Sequence, residues 1–193
     1  SYALIRDEFL EIRDESLKHR KNGFLKNILI SLGGSDPDNF SSKILEKLLS
    51  CNLSRDKNIT IIMNSNSQYL DEIKSQLKQM PHRNNLFVDV NNMGDILKNQ
   101  DIVIGAVGVS AWERCCLGIP AISLVIASNQ KPGAKALHLS GASIVIDQEF
   151  SDGHCLESAL EYFIDPQNLK SASNLASNLV DGLGTKRVVN FIT

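Results

Sequence analysis

The sequence predicts a doubly wound α/β domain, with a six-stranded, mostly parallel Rossmann-like sheet covered by helices on both faces. Two observations carry the prediction. Short β-branched or aliphatic runs alternate with amphipathic stretches, the pattern of buried parallel strands joined by crossover helices. Two of those runs end in glycine-containing loops that lead directly into helices, where an open parallel sheet builds its ligand crevice.

In chain order, Tyr2 to Lys21 places Leu4, Ile5, Phe9, Ile12 and Leu17 at roughly helical spacing among many charges and breaks at Asn22-Gly23. Residues 1–23 therefore read as an interdomain connector, and 24–193 as the domain itself with C-terminal helices. The candidate strands are Asn27 to Leu32, Ile59 to Met63, Leu86 to Val90, Ile102 to Gly105, Ala121 to Ile126 and Ser143 to Ile146. Helices are expected to begin near Pro37, Ser67, Met93, Gly108 and Asn129. Asp36-Pro37 is a helix start in which Asp accepts unpaired backbone N–H groups and Pro loses nothing at the first helical position. Beyond Gly153, Leu156, Leu160 and Phe163 share a helical face, and Asp165-Pro166 opens a further helix through Leu169, Leu175 and Leu179.

A chain of 193 residues is long enough for one well-cored domain and too short for two full α/β domains. The hydrophobic share of 42% and charged share of 22% suit a globular protein. A net charge of −2 and a pI near 6.1 supply no broad positive field, which argues against nucleic acid or an anionic membrane as partner, so phosphate recognition must be local. No apolar run approaches the roughly 20 residues of a membrane span, and the charged start lacks the apolar core of a signal peptide. Cys51, Cys115, Cys116 and Cys155 show neither metal-ligand nor disulfide-framework spacing; with no cofactor or metal implied, a reducing cytoplasm fits best.

The first glycine loop, Leu32-Gly33-Gly34-Ser35-Asp36-Pro37, offers exposed N–H groups and lets an anion approach the main chain without a β-carbon in its way. It carries neither the Walker lysine nor the Gly-x-Gly-x-x-Gly dinucleotide signature. The second, Gly105-Ala106-Val107-Gly108-Val109-Ser110-Ala111-Trp112-Glu113, also follows a buried strand. In the strand order 3-2-1-4-5-6 the two loops flank the point where the winding reverses. Ser110 and Glu113 have the spacing of a capping box, while Glu113 equally suits a ribose diol, since a carboxylate offers acceptors and no donor. Asn129 and Gln130, after the fifth strand, can cap a helix or face a sugar's hydroxyl and acetamido groups. No histidine is placed as a catalytic base, so no catalytic residue is assigned in this chain.

These motifs, in this order, resemble the C-terminal domain of glycosyltransferase-B-like proteins that act on UDP-sugars, the family 28 C-terminal type. Tyr2-Ala-Leu-Ile-Arg-Asp-Glu-Phe9, Ile30-Ser-Leu-Gly-Gly-Ser-Asp-Pro37, Gly108-Val-Ser-Ala-Trp-Glu113, Gly118-Ile-Pro120 and Asn129-Gln130 are more closely similar to the UDP-sugar hydrolases of pseudaminic acid biosynthesis. The resemblance implies the C-terminal half of a GT-B fold, with Gly33, Gly34, Ser35, Gly108, Val109 and Ser110 bordering a diphosphate and Glu113 on the ribose. It implies further that Val90 and Met93 surround uracil, and that Asn129 and Gln130 face the sugar, a 2,4-diacetamido-2,4,6-trideoxy hexose. An N-terminal domain of the same chain, carrying the histidine that activates water, would complete the enzyme. A glycosyltransferase donor domain, or a non-catalytic nucleotide-sugar module joined to a nucleotidyltransferase, would use the same binding residues.

Overall fold

In the computed structural model, residues 1–33, 36–51, 53–147 and 153–192 are described, apart from the side chains of residues 147 and 153–155. Six strands form one sheet in the order β3-β2-β1-β4-β5-β6, and every pairing is parallel. They are β1 (Asn27–Ser31), β2 (Asn58–Met63), β3 (Arg83–Val88), β4 (Ile102–Ala106), β5 (Ala121–Val125) and β6 (Ser143–Asp147). The predicted order and doubly wound class are thus those observed.

Because side chains alternate across a strand, each central strand feeds two cores. Ile28, Ile30, Ile102 and Ile104 point to one face, where they meet Ile44, Leu45 and Leu48 of α2 (Phe40–Ser50), Ile73 and Leu77 of α3 (Leu70–Gln79), and Leu156, Leu160 and Phe163 of α7 (Gly153–Ile164). Leu29 and Val103 point to the other, against Phe9 of α1 (Asp7–His19), Leu97 of α4 (Met93–Leu97), Cys115 and Cys116 of α5 (Val109–Cys116) and Leu137 of α6 (Lys131–Ser140). The helix α8 (Pro166–Leu179) serves both faces, through Leu169 and Ala172 on the first and Ala176 on the second. Its start is the predicted one: the Asp165 carboxylate accepts from the Gln167 N–H, and Pro166 follows.

Several details differ from the sequence reading. The first crossover helix begins at Phe40 rather than near Pro37, because Asp36 (φ 38°) and Asn39 (φ 52°) both adopt left-handed backbone and insert a turn before it. The edge strand β3 starts at Arg83, three residues before Leu86, pairing Arg83 with Asn58. A last helix, α9 (Gly184–Ile192), follows the residues expected to be helical and leaves Phe191 and Ile192 exposed.

The segment Tyr2 to Lys21 is helical over α1 and seats Ile5 and Phe9 in the second core. Arg6, Arg13 and Arg20 recur every seven residues, close to two helical turns, so they form one stripe along α1. That stripe faces α5. Arg13 donates to the carbonyls of Cys116, Ser177 (3.0 Å) and Val180 (3.3 Å). Arg20, buried, donates to the carbonyls of Leu117, Gly118 (3.0 Å) and Gln100 (2.7 Å). Burial pulls its pKa down to about 10, against the opposing pull of Asp101. Two guanidinium groups thereby satisfy the carbonyls at the C-terminal end of α5, where the helix dipole is negative.

Candidate functional site

Since all strands run parallel, the loops that follow them leave along one edge. There β1 and β4 are hydrogen-bonded neighbours, with Ser31 paired to Gly105, so the two glycine loops emerge side by side at the winding reversal. The backbones come close because residue 105 is glycine: a β-carbon there would stand 2.6 Å from the Ser31 carbonyl and 3.2 Å from the Arg114 guanidinium. Gly33 is exposed with φ 97°, a left-handed conformation that favours glycine, and its missing β-carbon would meet no atom within 4 Å. Gly34 and Ser35 lie outside the described residues.

Asp36 behaves as a cap even though Pro37 does not begin the helix. Its buried carboxylate accepts from the Phe40 N–H (2.9 Å) and the Ser41 N–H (2.8 Å), so the N-terminus of α2 already holds a negative charge of its own.

The second loop is different. Among the described residues no side chain caps α5, whose first residue is Val109 and whose N-cap position is Gly108. The capping box suggested by Ser110 and Glu113 does not form, because the helix begins at Val109 and its N-cap position is Gly108, two residues before the Ser110 such a box requires. Gly108, Val109 and Ser110 are all exposed. Gly108 sits at φ −130°, open to any residue, and a β-carbon on it would touch nothing within 4 Å. Neither backbone strain nor contact of a β-carbon with the described residues accounts for a glycine there.

Glu113 is buried one turn into α5 and accepts from Arg6 Nε at 2.9 Å. Beside it Arg114 is almost wholly enclosed. The guanidinium donates to the Ala106 carbonyl (3.0 Å) and to Ser110 Oγ (3.3 Å), Nε has no partner among the described residues, and desolvation brings its pKa down to about 10. Arg114 was not singled out by its residue pattern, yet it braces the second loop and leaves a positive charge behind it. Cys115 and Cys116 are buried in the same helix, and burial raises both thiols, Cys115 to about 11. They therefore stay protonated packing groups at neutral pH.

The remaining sequence-predicted residues lie on the same edge. Val90 and Met93, both half-buried, follow β3, and Met93 packs against the second core. Asn129 is exposed in a short 3-10 turn, Ser128–Gln130, after β5. It does not cap α6, whose N-cap position is Gln130 without a side-chain cap bond. Gln130 Oε1 accepts from the Ile126 N–H (3.0 Å), closing its own turn. Among the described residues no cluster of three or more metal-ligating side chains occurs, and no helix is long and apolar enough to cross a membrane.

The glycosyltransferase family 28 C-terminal domain matches residues 28–182, from the first strand to just beyond α8. The chain belongs to that family. The spore coat polysaccharide biosynthesis protein SpsG of Bacillus subtilis is 30% identical over 119 residues, which cover 62% of this chain and 35% of that protein. The crystal structure of MurG from Acinetobacter baumannii superposes with a TM-score of 0.77 at 18% identity, over 92% of this chain and 52% of MurG. A UDP-GlcNAc 2-epimerase from Neisseria meningitidis, solved bound to UDP-GlcNAc, matches at 0.65 and 16% identity over 95% of this chain and 48% of the epimerase. The chain thus spans about a third of the curated relative and about half of each structure, and the structural likeness is one of fold.

Proposed function

We propose that this chain is the UDP-sugar-binding half of a hydrolase that releases UDP from a 2,4-diacetamido-2,4,6-trideoxy hexose in nonulosonic (pseudaminic) acid biosynthesis. The observation that carries the nucleotide-sugar part is the uncapped N-terminus of α5, opening on an exposed glycine beside the β1 loop. Residues 24–193 would form the binding domain, with residues 1–23 leading to an N-terminal domain of the same chain. The diphosphate would lie across Gly33, Gly34, Ser35 and the turn Gly108 to Ser110, the ribose hydroxyls on Glu113, uracil by Val90 and Met93, and the sugar by Asn129 and Gln130. The resemblance of the motifs Tyr2 to Phe9, Ile30 to Pro37 and Gly108 to Glu113 to those of pseudaminic acid hydrolases is what supports the finer reading, and the cytoplasm is where such sugar nucleotides would be met.

In that reaction a water oxygen bonds to the anomeric carbon as the bond from that carbon to the UDP oxygen breaks. The water proton passes to a base in the N-terminal domain, and the electron pair leaves with UDP. This chain's part is electrostatic: the positive end of α5 and its free N–H groups stabilise the charge that grows on the leaving diphosphate. The family assignment and the fold it shares with MurG favour one second reading, transfer of the sugar to an acceptor, for which the donor site would be the same.

Incubating the full-length protein with its UDP-sugar and no acceptor separates the two. Hydrolysis yields UDP and free sugar in equal amounts. A strict need for an acceptor would replace hydrolysis with transfer.

A further inference from the structure

Arg6 stands at the start of α1 and joins the segment that leads into the domain to the buried acid of the candidate ribose site. Three contacts fix its side chain. Nε donates to Glu113 Oε1 at 2.9 Å, Nη1 lies 2.8 Å from Glu8 Oε1, and the guanidinium carbon rests 4.7 Å from the ring centre of Phe9, a fully buried core residue. The hydrogen bond to Glu113 is also the largest influence holding the Arg6 guanidinium protonated. Arg6 and Glu113 are thus joined through one oxygen only, whereas a bidentate guanidinium would have occupied both.

We propose that Arg6 is a positioning residue for Glu113: by holding Oε1 it fixes the carboxylate rotamer and leaves Oε2 to accept from the ribose hydroxyls of a uridine nucleotide. The inference rests on the reading of Glu113 as the ribose acid and adds what orients it. A glutamate has three rotatable side-chain bonds, and a buried one aimed by a fixed cation spends less ordering entropy when a diol binds. The same stripe of arginines that neutralises the far end of α5 through Arg13 and Arg20 therefore sets its ligand-facing acid through Arg6. Residues before α1 are in turn tied down by Arg187, whose Nη1 donates to the Ser1 carbonyl at 2.8 Å, so the position of this leading segment and the geometry of the site are coupled.

The test is a binding titration of the wild-type chain, Arg6→Met, Arg6→Lys and Glu113→Ala with UDP and with 2′,3′-dideoxy-UDP, which lacks the hydroxyls Glu113 would receive. Wild type should prefer UDP, and Arg6→Met should weaken UDP about fivefold while leaving dideoxy-UDP unchanged, repeating the pattern of Glu113→Ala on a smaller scale. Arg6→Lys, which keeps the charge and one donor, should recover part of the loss. The double variant Arg6→Met/Glu113→Ala should bind no worse than Glu113→Ala alone. Unchanged or tighter UDP binding in Arg6→Met, or equal weakening of both nucleotides, would overturn the role of Arg6 while Glu113→Ala still reports on the ribose. If wild type itself does not distinguish the two nucleotides, the ribose reading fails first and takes the inference with it.

Discussion

The two glycine loops leave neighbouring strands at the same edge, yet the N-termini of the helices they lead into differ in local charge. At the first, Asp36 places its own carboxylate on the N–H groups of Phe40 and Ser41, so the positive end of α2 is already neutralised. At the second, α5 has no side-chain cap, its N-cap position is an exposed glycine, and its opposite end is saturated by Arg13 and Arg20. A loop that looks like an anion cradle in sequence can thus be a closed turn, and the way to tell them apart is to ask which N–H groups are already taken. On the proposed reading, α5 is where an incoming diphosphate would meet N–H groups that no described side chain has capped.

The largest expected effect is at the open end. Gly108→Val adds a β-carbon that meets none of the described residues, at a backbone conformation valine readily adopts, and the loss of an N-cap glycine should lower the thermal midpoint by no more than about 4 °C. Any ligand lying on that turn would meet the new methyl groups, and UDP affinity measured by calorimetry should fall more than about tenfold. Retained affinity with a normal fold would remove α5 from the phosphate site and leave the two loops without a functional difference.

The closed end should respond in the opposite sense. Asp36→Ala removes both acceptors from the α2 N-terminus and should cost about 1–2 kcal/mol of stability. For a domain of this size that corresponds to a fall of roughly 2–8 °C in the melting midpoint. UDP affinity should change less than about threefold, because Asp36 faces the helix backbone. A marked gain in UDP affinity would show that the carboxylate had been competing with phosphate for those N–H groups, and the two loops would then be alike in kind.

Much of this architecture is legible in the sequence because the strands are short apolar runs with a single plausible period, and the two glycine loops fall on the strands that the winding rule makes neighbours. Turn chemistry is less legible. The choice of Asp36 as a cap is correct as to the atom that accepts and wrong as to where the helix begins, since the left-handed residues Asp36 and Asn39 lengthen the turn in a way no residue type announces. Ser110 and Glu113 have the spacing of a capping box, but other partners claim both: Arg114, one turn on in the same helix, takes Ser110 Oγ, and Arg6 takes Glu113. The arginine stripe is visible as a seven-residue repeat, and its meaning is not, because its partners are carbonyls about a hundred positions away. The helix α9 escapes for the plainest reason: Val189, Phe191 and Ile192 remain exposed, so no buried face marks it.

The smallest effect, and the sharpest probe of the comparison, belongs to Arg114. Its guanidinium sits under the second loop, bonded to Ala106 and Ser110, and no carboxylate lies within ion-pair distance of it among the described residues. Burying such a charge is costly, and its pKa of about 10 records that cost: the folded state binds this proton less tightly than the unfolded chain, so the group works against folding below about pH 10 and the penalty fades as pH rises through that value. Arg114→Met should therefore be close to neutral for stability at pH 7, as replacements of buried charges by apolar side chains often are. If the retained charge serves the anion site, the same variant should weaken UDP by about threefold, the scale of one screened charge set back from a ligand. The loss should be smaller for uridine, which carries no phosphate. Equal losses for UDP and uridine would make Arg114 a brace for the loop rather than a source of field, and the contrast between the loops would then rest on free N–H groups alone.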